Sequence, residues 1–574
     1  MPTRSRAIRL CFAPLMASLI MVSTASRACA GPDKLLRLVP ENMALCLLIE
    51  DLRGHAHSFL ASPFAKQFLA SRIGKELLAA PEMAKLRDID AFLQKNLQIT
   101  LVQLRDDILG DAIVLAYSPG PVDTPDREQG LLMLEARDAE RLAKLLDKLL
   151  ELQKGSGELK SVEEQSLGKR KYLKAVGQRS TTLYLRAGTV LIVTSQETIL
   201  QEVSARLDNP AARSIFKDHF PNLDPAGRIL SLWINPRPYR ALLEKQAGLV
   251  KGAQLVAFNT FLRYWNALDC VGVFISHRED CELTFAVEGR PGELPPGAAK
   301  LWLKAPLPAN DLAARWPAGA FFALTRSIDF AGTMFGVSEF MDAPTRQLLQ
   351  NSIEQKGAAL LGQDVVREAL PSLGPEIGFA MAAPPSTDPG WFPHVLAAVR
   401  IRPTAAEPAP ELMLMNTLNS LATLVVFAQN QAKPGSMSLR SRIHDGTEIK
   451  FLTCPTEFPP GLEPAFAWRG GYLVVGSSPA AVARFAARSP ERTSNSGSIL
   501  QMVFPPLAAY LRERQEVLAS YHARHDGVSK EDAKAGLERL TAFLELLDRF
   551  DVSSRALPNG VALNAKLQFA APLR

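Results

Sequence analysis

Cysteine, histidine and net charge are all scarce in this chain, and each scarcity excludes a class of function. There are six Cys and eight His in 574 residues. Cys11 and Cys29 lie in the first thirty positions, leaving Cys46, Cys270, Cys281 and Cys454, too few for the disulfide framework of a small secreted domain. One bridge is allowed, but a turn near 277–280 sets Cys281 opposite about Ser276 and not opposite Cys270. Cys46 and Cys270 sit in apolar strands, where a thiol behaves as a small buried hydrophobe.

The histidines do not build a metal site. His522 and His525 are three apart on a helix, and His55 and His57 follow the first strand, yet neither pair has the Glu or the Cys pair that zinc spacing requires. No G-x-S-x-G is present, and none of the four Cys lies in an evident electropositive setting. The Gly-rich pieces Lys154-Gly155-Ser156-Gly157 and Arg469-Gly470-Gly471 lack phosphate-loop spacing and read as turns. The carboxylate pairs Asp106-Asp107 and Glu163-Glu164 join neighbours that point to different faces, which predicts a solvated surface and not a catalytic dyad. No catalytic, cofactor-binding or metal-binding residue emerges, and no cofactor is expected.

Charge of one sign is missing as well. The formal net charge is +6, but the first thirty residues hold four Arg and no acid; without them 61 of the 65 basic residues face 59 acidic ones. A nearly neutral chain without Lys/Arg-rich runs gives no electrostatic case for nucleic acid.

Residues 1–30 read as a signal peptide. Arg4, Arg6 and Arg9 precede the apolar run 10–22, interrupted by Pro14, and Ala28-Cys29-Ala30 offers cleavage after Ala30. The alternative is a lipoprotein signal through Cys29, although Arg27 stands where a small uncharged residue is wanted. The expected location is exported, periplasmic or extracellular. The run 411–428 is apolar enough to suggest a span, but Asn416, Thr417, Asn419, Ser420 and Thr423 interrupt it, so it is expected to be a buried core helix, with no transmembrane span after signal removal.

The chain is organised around a stretch that occurs twice. Arg186-Ala187-Gly188 leads into the strand 189–194 and a helix from Gln196; Arg469-Gly470-Gly471 leads into the strand 472–476 and a helix from Pro479. Matched at Gly188 and Gly471, the copies are 283 apart, each a three-residue turn ending in a Gly at positive φ, an apolar strand and a Ser N-cap (Ser195, or Thr194 with Glu197 as a capping box; Ser478). Further matches keep the same order, with steps between 264 and 284: Pro40 with Pro317, Gly110 with Gly374, Ile229 with Ile499, Leu283 with Leu567.

This predicts an α+β fold of two homologous halves, each a mixed or antiparallel sheet with helices packed on one face. The first half is 31–290, a Pro-rich linker follows at 291–310, and the second half is 311–574. Long helices are expected over 238–266 and 507–549. With its strand-turn-strand-helix units and its Pro40 and Pro317 before apolar strands, the chain resembles exported bacterial proteins catalogued only as a domain of unknown function. That resemblance implies export and a duplicated body, and it transfers no catalytic residue. The leading expectation is a non-enzymatic exported protein that binds a protein or envelope component through the surface formed between its halves. The alternative is a carrier of an apolar ligand in a cavity between sheet and helices, and an enzyme of unrecognised class comes third.

Overall fold

The computed structural model describes residues 33–571 apart from 125–126, 179, 214, 222, 224–226, 295–309, 362–371, 389, 404–408 and 487–497. Residues 1–30, read above as a signal peptide, and most of the stretch read as a Pro-rich linker lie outside the described residues. With 43% helix, 32% strand and antiparallel pairing, the fold is α+β. The chain forms two compact units, the first spanning residues to Leu249 and Tyr264–Glu293, the second Val250–Arg263 and Leu294–Ala570.

The first unit contains β1 (Leu45–Glu50), β2 (Ala112–Ser118), β3 (Gln129–Glu135), β4 (Leu159–Leu167), β5 (Arg170–Gly177), β6 (Thr181–Ala187), β7 (Val190–Thr194), β8 (Arg228–Ile234), β9 (Leu268–His277) and β10 (Cys281–Gly289). Every pairing is antiparallel, in the order β4-β5-β6-β7-β3-β2-β1-β8-β9-β10. Leu142, Leu146 and Leu150 recur every four residues along the helix Ala139–Gly155, and this stripe packs on Leu134, Ala175 and Leu191. Val190 and Ile192 alternate to the other side and are also buried, and the helix Glu197–Asp208 packs on β6 and β7. Both faces are therefore covered, where one was expected.

The second unit contains β11 (Ala320–Ser327), β12 (Leu373–Ala382), β13 (His394–Ile401), β14 (Ser438–His444), β15 (Thr447–Thr453), β16 (Ala465–Arg469), β17 (Tyr472–Gly476), β18 (Ser498–Val503), β19 (Leu547–Leu557) and β20 (Gly560–Phe569). Its antiparallel order is β14-β15-β16-β17-β13-β12-β11-β18-β19-β20. One face is sealed by Leu312, Ala481, Val482 and Phe485 against Leu396, Ala398, Tyr472 and Val474.

The repeated turn is shorter than its sequence suggests. Ala187 pairs with Val190 and Arg469 with Tyr472, so each loop has two residues, not three. Gly188 alone has positive φ in the first loop (65°), whereas Gly470 and Gly471 both do in the second (60° and 84°). Val190 and Tyr472 then open the strands, and Glu197 and Pro479 open the following helices, so equivalent positions are 282 apart, not 283. The burial pattern agrees: Val190, Ile192 and Thr194 are buried, as are Tyr472, Val474 and Gly476. A slip of one residue would exchange the two faces. Nor is Ser195 a cap. Gln196 holds that position without a side-chain bond, while Thr194 Oγ1 donates to Gly130 O (2.8 Å), and Ser478 caps its helix through Ala481 N (3.0 Å).

Two long helices are interrupted, the second first at Arg514 and then at a glycine. The expected helix 238–266 is a 3₁₀ turn and the helices Arg240–Ala247 and Ala253–Ala267, separated by a stretch in which Gly252 has φ 66°. The expected helix 507–549 is three helices, Phe504–Glu513, Gln515–Asp526 and Lys530–Leu544, the second ending at Gly527 with φ 68°.

Candidate functional site

A dense polar cluster surrounds Tyr472, the first residue of β17. Its ring is buried under Phe485 (5.6 Å between centroids), and its hydroxyl meets Asp311 Oδ2 (2.9 Å) and Glu376 Oε2. Asp311 comes from the helix Asn310–Arg315 and Glu376 from β12, so sheet and helix converge on one phenol. Arg400 Nη1 bridges the same two carboxylates, at 2.9 Å from Glu376 and 3.5 Å from Asp311. Arg315 bonds Asp311 (3.2 Å) and lies 5.0 Å over the Tyr472 ring.

The electrostatics favour a structural role. Two carboxylates meet two guanidinium groups, leaving no net charge to act on a substrate. Burial, then the bonds to Glu376 and Asp311, push the Tyr472 hydroxyl well above the ordinary phenol range. The bond to Glu376 raises Arg400. A phenol that holds its proton this firmly is neither a general base nor a nucleophile at neutral pH. Sequence reasoning missed the cluster because Glu376, Arg400 and Tyr472 come singly from distant strands; the local signals were the Asp311–Arg315 pair four apart on one helix and a Tyr within an otherwise aliphatic strand.

The histidines considered for zinc are not assembled. His55 Nε2 bonds Arg228 O (3.1 Å), His522 pairs with Asp526, and the His525 ring lies 4.3 Å from that of Tyr521. Among the described residues no three His, Cys, Asp or Glu converge on a metal-sized site. His394 is buried, accepts at Nδ1 from Arg484 (3.2 Å) and faces Asp388 with Nε2 (3.6 Å). Burial, then Arg484, lower its pKa, so it is neutral at physiological pH. All four cysteines are free. Cys281 pairs in register with His277, and Cys270 with Glu288. Burial raises the thiols of Cys46 and Cys270, which makes them unreactive.

The predicted solvated surface for Asp106 and Asp107 is corrected. Their side chains are 16% and 19% exposed, and each pairs with an arginine, Asp106 with the buried Arg105 (2.6 Å) and Asp107 with Arg141. They lie in a π-helical turn, Leu104–Ile108, that turns both toward cations. Glu163 and Glu164 are exposed, on β4.

A second correction concerns the apolar helix. It runs Pro410–Ala432, and in place of a buried core helix the structure shows buried side chains only at Pro410, Met413 and Ala422. Leu412, Leu421, Leu424, Val425 and Phe427 are 58%, 37%, 60%, 48% and 62% exposed. Beside Glu411 at its first turn, the helix carries no charge. By length and composition it is the one candidate span among the described residues. The face of the sheet opposite the sealed one is also apolar and open. Leu324, Phe379, Ala397 and Val475 face one another in register across β11, β12, β13 and β17, and Leu324, Ala397 and Val475 are exposed.

No family model, curated protein or solved structure matches this chain.

Proposed function

We propose that the protein is exported and non-enzymatic, that its two units are copies of one α+β body, and that the second copy binds a lipid surface of the envelope through the helix Pro410–Ala432. The observation that carries the binding reading is the width of the exposed apolar arc. At about 100° per residue, Leu412, Phe427, Leu424, Leu421 and Val425 fall at about 0°, 60°, 120°, 180° and 220° around the axis, with the uncharged polar Thr423, Asn416, Ser420 and Gln431 between them at about 20°, 40°, 80° and 100°. A single packed helix covers a stripe on the order of 100° wide. Lipid, being fluid, covers the whole arc, and the 21 uncharged residues after Glu411 carry no desolvation penalty for a full charge into it.

Strand register supports the duplication. Leu47 faces Leu115, which faces Leu132, which faces Val193; Leu324 faces Phe379, which faces Ala397, which faces Val475. The corresponding steps are 277, 264, 265 and 282, so the Pro40 and Gly110 matches keep register while the later ones slip. Carried onward, Leu232 corresponds to Leu500, and Leu283 to Leu563 in place of Leu567. The same steps superpose Lys34 on Asp311 and Glu135 on Arg400. Lys34 pairs with Glu135, and Asp311 with Arg400 (3.5 Å), so one place in the body holds an ion pair of either polarity.

The test is flotation of the mature protein with vesicles of neutral phospholipid. The expected result is binding that survives high salt, and that Leu424→Glu with Phe427→Glu abolishes while leaving the melt unchanged. Failure of the unaltered protein to float would overturn the reading. The open row from Leu324 to Val475 favours a second reading, a carrier that holds one apolar molecule against the sheet. Native mass spectrometry of protein from its source would then show a bound lipid of fixed stoichiometry, without vesicle binding.

A further inference from the structure

Each sheet ends in a strand with one free edge: β4 pairs only with β5, and β14 only with β15, among the described residues. These edges carry opposite charge. β4 presents the exposed Glu163 and Glu164, and β14 the exposed Arg440 and Arg442. Glu164 is held by Lys171 within its own hairpin (2.6 Å), whereas Glu163 bonds Ser161 (3.2 Å) and stands across from Lys174, whose ammonium is bonded to Glu197 (3.1 Å); Lys160, nearer the start of β4, is exposed as well. Arg440 bonds Ser438 (3.2 Å), and neither it nor Arg442 has a carboxylate partner among the described residues. An edge commonly carries charge to keep other strands away. Here the signs differ, so β4 repels β4 and β14 repels β14, while β4 and β14 attract.

We propose that β14 of one copy of this chain adds to β4 of a second copy as an antiparallel strand, with Arg442 opposite Glu163. Backbone hydrogen bonding supports this register. Both hairpins close on a two-residue loop, Leu167 pairing with Arg170 and His444 with Thr447. In such a hairpin the closing residues exchange backbone bonds with each other, and alternate residues turn their N–H and C=O outward. The outward residues are Ser166, Glu164 and Val162 on β4, and Ile443, Ser441 and Leu439 on β14. Setting Arg442 against Glu163 places Ile443 opposite Val162, Ser441 opposite Glu164 and Leu439 opposite Ser166, so each outward residue meets an outward residue. Arg442 and Glu163 then occupy a non-hydrogen-bonded pair, where opposed side chains come closest. Ile443, 76% exposed, gains the half-buried Val162 as its neighbour. Shifting the register by one residue loses the backbone match and both side-chain matches. This inference does not depend on the lipid reading.

Sedimentation velocity of the full mature chain tests it, with circular dichroism melts to show that each variant folds. The unaltered chain should self-associate, and less so as salt is raised. Arg442→Glu and Glu163→Arg should each sediment as monomer. Mixed in equal amounts they should associate again as the unaltered chain does, because Glu at 442 of one chain meets Arg at 163 of the other, and the unaltered Arg442 and Glu163 meet at the remaining edges. The chain with both changes should self-associate again. An unaltered chain that stays monomeric, single variants that associate like it, or a mixture that behaves like its separate components would each overturn the proposal.

Discussion

At the scale of single residues, Tyr472 joins a helix to a sheet with one hydroxyl. Replacing it with Phe keeps the ring against Phe485 but leaves Asp311 and Glu376 without that donor, which should cost about 1–3 kcal/mol in urea unfolding at pH 7. The pH dependence gives a second signature. The folded-state pKa of Tyr472 is raised above the unfolded value near 10, so the unfolded chain releases this proton first as pH rises. Its contribution is fully present below pH 10 and is lost progressively above it. Stability of the parent should therefore fall more steeply above pH 10 than that of Tyr472→Phe; parallel curves would show that the phenol is not held by these carboxylates. The turn glycines give a separate prediction. A Cβ at Gly188 or at Gly471 meets nothing within 4 Å, so Gly188→Val and Gly471→Val are opposed by backbone strain alone, about 1–2 kcal/mol each by thermal melt. Thr189 takes the second place of its two-residue loop, as Gly471 does in the other loop, but without positive φ, so Thr189→Gly should change stability by under about 1 kcal/mol.

At the scale of elements, legibility followed periodicity. The strands β2, β7 and β8 and the helix Ala139–Gly155 were readable within a residue or two because each alternates or repeats its apolar side chains against a core. β4 was not readable. Its sequence LKSVEEQSL is polar at most positions because it is an edge strand, and only Leu159 and Val162 pack on the core, too few to impose a pattern. The helix Pro410–Ala432 failed in the opposite sense: composition gave its existence and length, but apolar residues distributed all round the axis do not say whether protein or lipid covers them. If lipid covers it, Leu424→Glu with Phe427→Glu should shift folding stability by under about 0.5 kcal/mol, as exposed substitutions do, while removing vesicle binding. A loss of several kcal/mol in the melt would mean that these side chains are covered by protein in solution.

At the scale of the whole molecule, the two units share one strand order, while an apolar strand looks the same after a shift of one or two residues, so sequence matches alone do not set the register between the units. The candidate site was illegible for a different reason: ion pairs that bridge a helix and two strands leave no local spacing to find. Those pairs give the sharpest test of the duplication. If the two bodies are copies, the place held by Lys34 and Glu135 is the place held by Asp311 and Arg400, and the fold accepts either direction of charge there. Glu135 is 5% exposed, so Glu135→Arg alone sets two cations together at a buried position and should cost about 3–5 kcal/mol, as breaking a buried pair does. Lys34→Asp alone sets two carboxylates together and should cost less, because Lys34 is more exposed. The double variant restores the pair with the polarity of the second unit. Its melt should recover at least half of the summed single losses, a coupling of about 1–3 kcal/mol. Losses that simply add would show that the two places are not equivalent.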